Sequence, residues 1–415
     1  MQYGLIGQPL GHSYSPELHN QIAAYKYELQ ELKPEELEAF LQKRQFRGIN
    51  VTIPYKQAVI PFLDELSPMA QKIGAVNTIV NCQGKLCGYN TDLAGMAALA
   101  RRIGLSFRGK KVLILGSGGT SRTAWALAEA GAARQFFRVS RNGREGTISY
   151  TEARSRHQDT QLILNTTPAG MAPDWEGQPL DLTEFPALEG VLEVIYHPLR
   201  SNLVLAALQR QLPAEGGLYM LVAQAVYASA LFLGQKVRES LIEQVYQRLL
   251  AEKQNLVLIG MPSAGKSTMG RELARRLARP FVDTDQKLAE LTGQSPAAYL
   301  TEKGEAAFRK LESQVIQEWA AQSGQVIATG GGAVLNPANV RRLRQNGRLI
   351  FLDRSPEKLL VTADRPLSAS RENLLRLYQE RFALYQAAAD FRIDGNGSRE
   401  EVLALIEEAL AKCNF

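Results

Sequence analysis

LVLIGMPSAGKST (256–268) decides how the second half of this chain folds. Its first residues form an apolar run of strand length, and an amphipathic pattern over Ser267–Ala278 follows. Between them Gly260, Gly265, Lys266 and Ser267 match G-x-x-x-x-G-K-[ST] in the strand–loop–helix setting the motif requires. The glycines let successive backbone N–H groups turn inward around a polyphosphate. Lys266 adds a cation near the outer phosphates, and the Ser267 hydroxyl is placed to reach Mg²⁺. A nucleotide site is therefore expected here.

A second Gly-rich turn lies upstream in KVLILGSGGTSR (111–122), again after an apolar run and before a helical pattern, Thr120–Ala130. Gly116, Gly118, Gly119 and Thr120 read as a dinucleotide turn, although Ser121 stands where G-x-G-x-x-G has its third glycine. The next strand ends in RVSRNGR (138–144), with Ser140 and Arg141 at its tip and Glu145 as the nearest acid. An acidic residue there suits the 2′-hydroxyl of NAD, whereas a guanidinium suits a 2′-phosphate, so NADP(H) is the expected cofactor.

Around these turns short apolar runs alternate with longer helical patterns. The runs are 3–7, 48–53, 111–116, 135–140 and 162–167, then 256–260, 325–330 and 348–353. Such alternation predicts an α/β fold with mainly parallel sheets. At 415 residues the chain exceeds what one core supports. Two Gly-rich turns imply two nucleotide domains, expected at 1–252 and 253–415. The charged stretch AEKQN (251–255), with no Pro/Gly/Ser-rich linker, predicts a short, stiff connection.

Composition narrows the class. Hydrophobic residues make up 45% and charged residues 22%, which excludes disordered and low-complexity classes. Leu218–Gly234 is apolar but carries Gln224 and Ser229 and is too short for a membrane span. The N-terminus lacks a signal-peptide pattern. Three cysteines (Cys82, Cys87, Cys413) and four histidines offer neither a disulfide framework nor zinc spacing, so a cytoplasmic location is expected. The net charge of +6 is dispersed, which argues against nucleic acid as a partner.

Three further motifs follow the phosphate loop. FVDTD (281–285) sets Asp283 and Asp285 at i and i+2, on one side if the segment is extended. GEAAFRKLES (304–313) places Arg309 on a helix, and TGGGA (329–333) allows close backbone approach. In this order these residues resemble shikimate kinase over 254–415. The resemblance implies ATP on Gly260, Ser263, Ala264, Gly265, Lys266, Ser267 and Thr268, and Mg²⁺ on Ser267 and Asp283. It implies Asp285 as base and binder of substrate hydroxyls, with Arg309, Arg381, Gly331 and Gly332 holding the substrate carboxylate. Arg365, of the RPL motif, would stabilise transferring phosphoryl charge from a lid. Only VTAD separates LDRSPEKLL from RPLS, so that lid is shorter than in the family.

The N-terminal half carries four polar loops: GHSYSPELHN (11–20), NVTIPYK (50–56), AVNT (75–78) and GYNTD (88–92). Amide- and hydroxyl-rich loops at strand ends suit a polyhydroxylated small molecule. Lys56 is the ammonium among them and Asp92 the suitable carboxylate, a proton-transfer couple for reducing a carbonyl. With NTTPAGM (165–171), EVIYHPL (193–199) and GGLYMLVAQA (216–225), these motifs resemble shikimate dehydrogenase over 1–250. The resemblance implies a substrate lobe of 1–100 and 216–250 and an NADP lobe of 101–215. It implies Ser13 and Ser15 on the substrate carboxylate, and Asn50, Thr52, Asn77, Asp92 and Gln224 on its hydroxyls. Tyr196 would line the pocket, and Lys56 and Asp92 would be the catalytic pair. Tyr219 replaces a frequent glycine, with nicotinamide packing the expected casualty, and Glu193 replaces a usual Asp.

The expectation is a bifunctional enzyme that reduces 3-dehydroshikimate with NADPH and then phosphorylates shikimate with MgATP. Its partners are small molecules, with no membrane and no obligate protein partner. The alternatives are a degenerate scaffold in one half, or a catabolic quinate/shikimate dehydrogenase in the first.

Overall fold

The computed structural model describes residues 1–11, 13–143, 146–361 and 370–412. The chain divides into two compact units, Met1–Leu249 and Leu250–Phe415. The first unit holds two sheets. One contains β1 (Tyr3–Gly7), β2 (Tyr27–Glu31), β3 (Gly48–Val51), β4 (Glu65–Leu66), β5 (Thr78–Cys82) and β6 (Lys85–Tyr89), in the order β2-β1-β3-β5-β6-β4. β1 pairs parallel with β2 and β3, but β3–β5 and β5–β6 are antiparallel. The antiparallel hairpin follows from chain length. β5 and β6 are joined by Gln83 and Gly84, both at positive φ, which is too short for a parallel crossover.

The second sheet contains β7 (Lys111–Leu115), β8 (Gln135–Ser140), β9 (Ile148–Ser149), β10 (Leu162–Asn165), β11 (Gly190–Glu193) and β12 (Ala214–Glu215). Its order, β12-β11-β10-β7-β8-β9, is parallel throughout and reverses direction beside β7. Ligands of such sheets bind outside the carboxyl ends of the strands at that reversal. β7 is apolar from Val112 to Leu115 because both of its faces are covered, and all four residues are fully buried. The apolar helix Leu218–Leu233 packs against the helix Asp92–Arg102, which explains its composition.

The second unit contains β13 (Asn255–Ile259), β14 (Phe281–Asp283), β15 (Val326–Ala328), β16 (Gly347–Asp353) and β17 (Phe391–Asp394). All are parallel, in the order β14-β15-β13-β16-β17. The helix Glu239–Lys253 stops one residue before β13. Among the described residues no helix is long and apolar enough to cross a membrane.

One local expectation is corrected. FVDTD is not extended through its second acid. A helix begins at Thr284, and Asp283 caps it by accepting from the backbone N–H groups of Asp285 and Gln286 at 3.0 and 3.3 Å. Tyr219 is engaged within the protein. Its ring packs edge-on to Tyr246 at 5.1 Å, with the Arg102 guanidinium 4.7 Å over it.

Candidate functional sites

A cavity of about 960 Å³ in the first unit runs along the carboxyl ends of β7, β8 and β10. Gly116–Thr120, Ser140, Arg141, Tyr150 and Thr166–Ala169 line one side, and Lys56 and Gln57 the other. A Cβ on Gly118 or Gly119 would meet no protein atom and would occupy the cleft itself. The helix Gly119–Ala130 has no side-chain cap, and its first residues, Gly119 and Thr120, line the cleft, a setting that suits an anion. Ser121 replaces the third glycine at little cost because its hydroxyl turns back to donate to the Gly118 carbonyl at 2.7 Å. These features fit a dinucleotide with its pyrophosphate on the turn and Arg141 beside the ribose. Arg144 and Glu145 lie outside the described residues.

Lys56 also joins a second, polar cluster. Its Nζ donates to Asp92 Oδ2 at 2.6 Å, and both side chains are largely buried. Asn77 Nδ2 donates to Asp92 Oδ1 at 2.9 Å and approaches Gln224 Oε1 at 3.4 Å. Three loops and the helix Leu218–Leu233, distant in sequence, thus converge on one pair. Ser13 and Ser15 form their own link, Oγ to Oγ at 3.0 Å, at the start of the helix Ser15–Ile22. Tyr196 packs against Tyr14 with the rings tilted by 54° and their centroids 5.3 Å apart. Thr52 follows β3 directly, its N–H bonded to the Ile6 carbonyl. The Asn50 amide is engaged within the protein, accepting from Tyr27 and donating to the Asn77 carbonyl and Thr78.

Two buried titratable groups flank this unit's machinery. Burial holds His19 down to about 3, so it is neutral in the fold. Burial likewise pushes Glu193 up to about 7, despite hydrogen bonds from Asn165, the Ile195 N–H and Ser201. The two oppose each other. Unfolding frees His19 to take a proton near its ordinary 6.5, so its contribution is lost as pH falls from there toward 3. Unfolding frees Glu193 to ionise near 4.5, so its contribution is lost as pH rises from there through about 7. Each effect amounts to a few kcal/mol, since a tenfold change in proton affinity is worth about 1.4 kcal/mol. Urea midpoints between pH 4 and 8 should therefore be flatter for the wild type than for Glu193→Gln. That variant should gain stability with rising pH up to about 6.5, and a profile parallel to the wild type would refute the assignment.

In the second unit Lys266 is buried at the start of the helix Lys266–Arg276, its Nζ donating to the Gly260 and Met261 carbonyls at 2.9 and 2.8 Å. The cation is thereby held against the loop's own backbone. Ser267 is the second residue of that helix, and Asp283 ends β14. One hydroxyl and one carboxylate suit Mg²⁺ held mainly by a nucleotide.

Asp285, Arg309 and Arg381 meet around Gly330–Gly332. A Cβ on Gly330 would lie 2.7 Å from Asp285 Oδ1, and one on Gly332 would strike the Arg309 guanidinium. Arg381 Nη1 donates to the Gly331 carbonyl at 3.1 Å, and Tyr385 Oη donates to the same oxygen. Glu312 was not anticipated. It is buried, its Oε2 accepts from Arg309 Nη1 at 2.8 Å, and its Oε1 is buried without a partner beside Gly330. The signal was present, because Arg309 and Glu312 are i and i+3 on one helix face. Arg365 falls within 362–369, outside the described residues.

Comparison with known proteins gives consistent findings for both units. The family model for shikimate kinase matches residues 262–411. That for the shikimate dehydrogenase substrate binding domain matches residues 5–79. The NADP(+) shikimate dehydrogenase of Geobacillus kaustophilus is 37% identical over 255 residues, 56% of this chain and 92% of its own length. That of Halothermothrix orenii is 38% identical over 262 residues, 56% of this chain and 91% of its own. Among solved structures, shikimate 5-dehydrogenase from Thermus thermophilus in complex with NADP(H) and shikimate is 31% identical with a TM-score of 0.54. It covers 60% of this chain and 99% of its own. A chorismate mutase/shikimate 5-dehydrogenase fusion protein from Clostridium acetobutylicum is 30% identical with a TM-score of 0.57, covering 60% and 96%.

Proposed function

The chain belongs to the shikimate dehydrogenase family and carries a shikimate kinase domain behind it, and from this premise we propose that it catalyses two consecutive reactions. The first unit is an NADP-dependent shikimate dehydrogenase and the second a shikimate kinase, together a bifunctional shikimate-pathway enzyme. In the proposed direction the first unit reduces 3-dehydroshikimate to shikimate, and the second phosphorylates the 3-hydroxyl so formed.

The observation that carries the first step is the Lys56–Asp92 pair, held at 2.6 Å where the cofactor cleft meets the amide-lined pocket. Bound NADPH supplies the hydride. The Lys56 ammonium stands to give a proton to the carbonyl oxygen as negative charge develops there, and Asp92 holds the ammonium in place. Asn77, Thr52 and Gln224 would orient the ring hydroxyls, and Ser13, Ser15 and Tyr196 the carboxylate end. Arg141 and Ser140 would take the 2′-phosphate.

In the second unit Asp285 would accept the proton of the attacking hydroxyl, with Arg309 and Arg381 clamping the substrate carboxylate against the Gly331–Gly332 backbone. Mg²⁺ on Ser267 and Asp283 would neutralise phosphate charge. The rest is positioning by the Gly260–Thr268 loop and Lys266, as phosphoryl transfer requires.

One incubation tests the sequence of steps. Purified protein with 3-dehydroshikimate, NADPH and MgATP should yield shikimate 3-phosphate by mass spectrometry. Shikimate that accumulates without phosphorylation would overturn the second step, and absence of reduction the first.

A further inference from the structure

We propose that a one-way chain of hydrogen bonds runs from Tyr27 through Asn50, Thr78 and Asn77 to the Asp92 carboxylate, making Tyr27 and Thr78 positioning residues for the reduction. The proposal rests on the roles of Lys56 and Asp92 given above. Neither Tyr27 nor Thr78 is among the residues that the family resemblance places on substrate or cofactor.

Backbone groups force the direction of each link. Asn50 Nδ2 lies 3.2 Å from the Asn77 carbonyl, which can only accept, so the nitrogen must face that side. Asn50 Oδ1 therefore faces Tyr27, whose hydroxyl must donate, at 2.7 Å. Asn50 Nδ2 also donates to Thr78 Oγ1 at 3.1 Å, leaving the threonine one proton to give. That proton reaches Asn77 Oδ1 directly at 3.1 Å, or passes to Thr91 Oγ1 at 3.2 Å, whose own proton reaches Asn77 Oδ1 at 3.3 Å. Both routes end on the same oxygen.

Asn77 is oriented independently as well. Its Oδ1 accepts from the Thr91 backbone N–H, which can only donate, at 2.7 Å. Its Nδ2 is therefore aimed at Asp92 Oδ1, at 2.9 Å, while Lys56 takes Oδ2.

Tyr27, Asn50, Thr78, Asn77 and Asp92 are all buried, and in so low a dielectric each bond polarises the next. At the far end the Tyr27 ring is stacked on His19, 3.9 Å and 5° apart, and His19 Nδ1 is 2.6 Å from Tyr25 Oη. A neutral imidazole can accept from Tyr25 there, which an imidazolium could not. The aromatic group thus holds Tyr27 still, and the chain fixes the rotation of the carboxylate that holds Lys56. Thr78 is fully buried and cannot touch substrate, so its contribution passes through Asn77.

Steady-state kinetics of Thr78→Val, which keeps the shape and drops the hydroxyl, test this in the full chain. We expect kcat for reduction to fall about tenfold with KM for 3-dehydroshikimate within about twofold, as for an interaction used in the transition state. Tyr27→Phe should fall in the same way, and Thr78→Ser should restore most of the rate. An unchanged kcat in Thr78→Val, a loss confined to KM, or a serine variant as slow as the valine would overturn the proposal. Were the wild type to reduce nothing, the catalytic reading of the site would fail instead. Exchange of the Thr91 amide hydrogen would then still decide the chain: faster in Thr78→Val but not in Thr78→Ser supports it, and equal rates in all three overturn it.

Discussion

Lys56→Ala is expected to lower the dehydrogenase rate about a thousandfold while the kinase rate in the same molecule stays at wild-type level, the range typical of a lost general acid. The geometry explains the size of the effect. The Lys56 Nζ is held by Asp92 at 2.6 Å at the edge of the cleft and is the cation facing both the cofactor side and the polar pocket. Removing it takes away the proton donor and leaves the largely buried Asp92 carboxylate with Asn77 as its remaining side-chain donor among the described residues. An uncompensated buried charge is costly, so Lys56→Ala should also lower the melting temperature of the first unit. Lys56→Met separates the two effects less cleanly, whereas Lys56→Ala/Asp92→Asn removes the stranded charge. The double variant should recover stability and no activity. Reduction that survives in Lys56→Ala within tenfold of wild type would remove the lysine from the mechanism.

The second large effect is expected in the other unit. Lys266→Ala should lower phosphorylation by two to three orders of magnitude, roughly the value of one preorganised charge at a transition state, and leave reduction intact. Lys266 is buried and bonded to the Gly260 and Met261 carbonyls, so its ammonium is already at the loop when a nucleotide arrives. A variant that lost activity through unfolding would lose its cooperative thermal transition. The dehydrogenase rate, read in the same sample, reports the integrity of the first unit. Kinase activity that persists in Lys266→Ala would show that the phosphate loop is not the nucleotide site. The two variants together therefore assign one activity to each unit without cutting the chain.

Local spacing was enough for both nucleotide turns. G-x-x-x-x-G-K-S between a strand and a helix, and the Gly116–Thr120 turn after KVLIL, depend on backbone freedom and helix-terminal N–H groups within a dozen residues. Such features are written in neighbouring positions, and the strands that carry them are apolar because both sheet faces are covered. The α/β class followed from the same alternation. The tip of β8, Ser140 and Arg141, pointed to NADP, and the first unit's relatives are NADP(+) shikimate dehydrogenases.

The polar loops were legible as loops, and by family resemblance as a site, but their distances were not. Lys56, Asn77, Asp92 and Gln224 are spread over a separation of 168 residues, and they meet because β5 turns back antiparallel through Gln83 and Gly84 beside β3 while the helix Leu218–Leu233 returns to the first lobe. A two-residue connection decides that pairing, and no apolar periodicity announces it. Glu312 was hidden for a related reason, since an acid one turn from an arginine usually marks a solvated helix face. What distinguishes Glu312 is burial against Gly330, which comes from a strand end 18 residues away. The amino-acid sequence by itself determined the α/β fold class and the order of the two domains along the chain, because those depend on local backbone geometry and apolar patterning. Tertiary structure alone decided which amide faces which carboxylate and where Tyr27, Thr78 and Glu312 stand, because hydrogen-bond direction is set by partners that only the folded chain brings together.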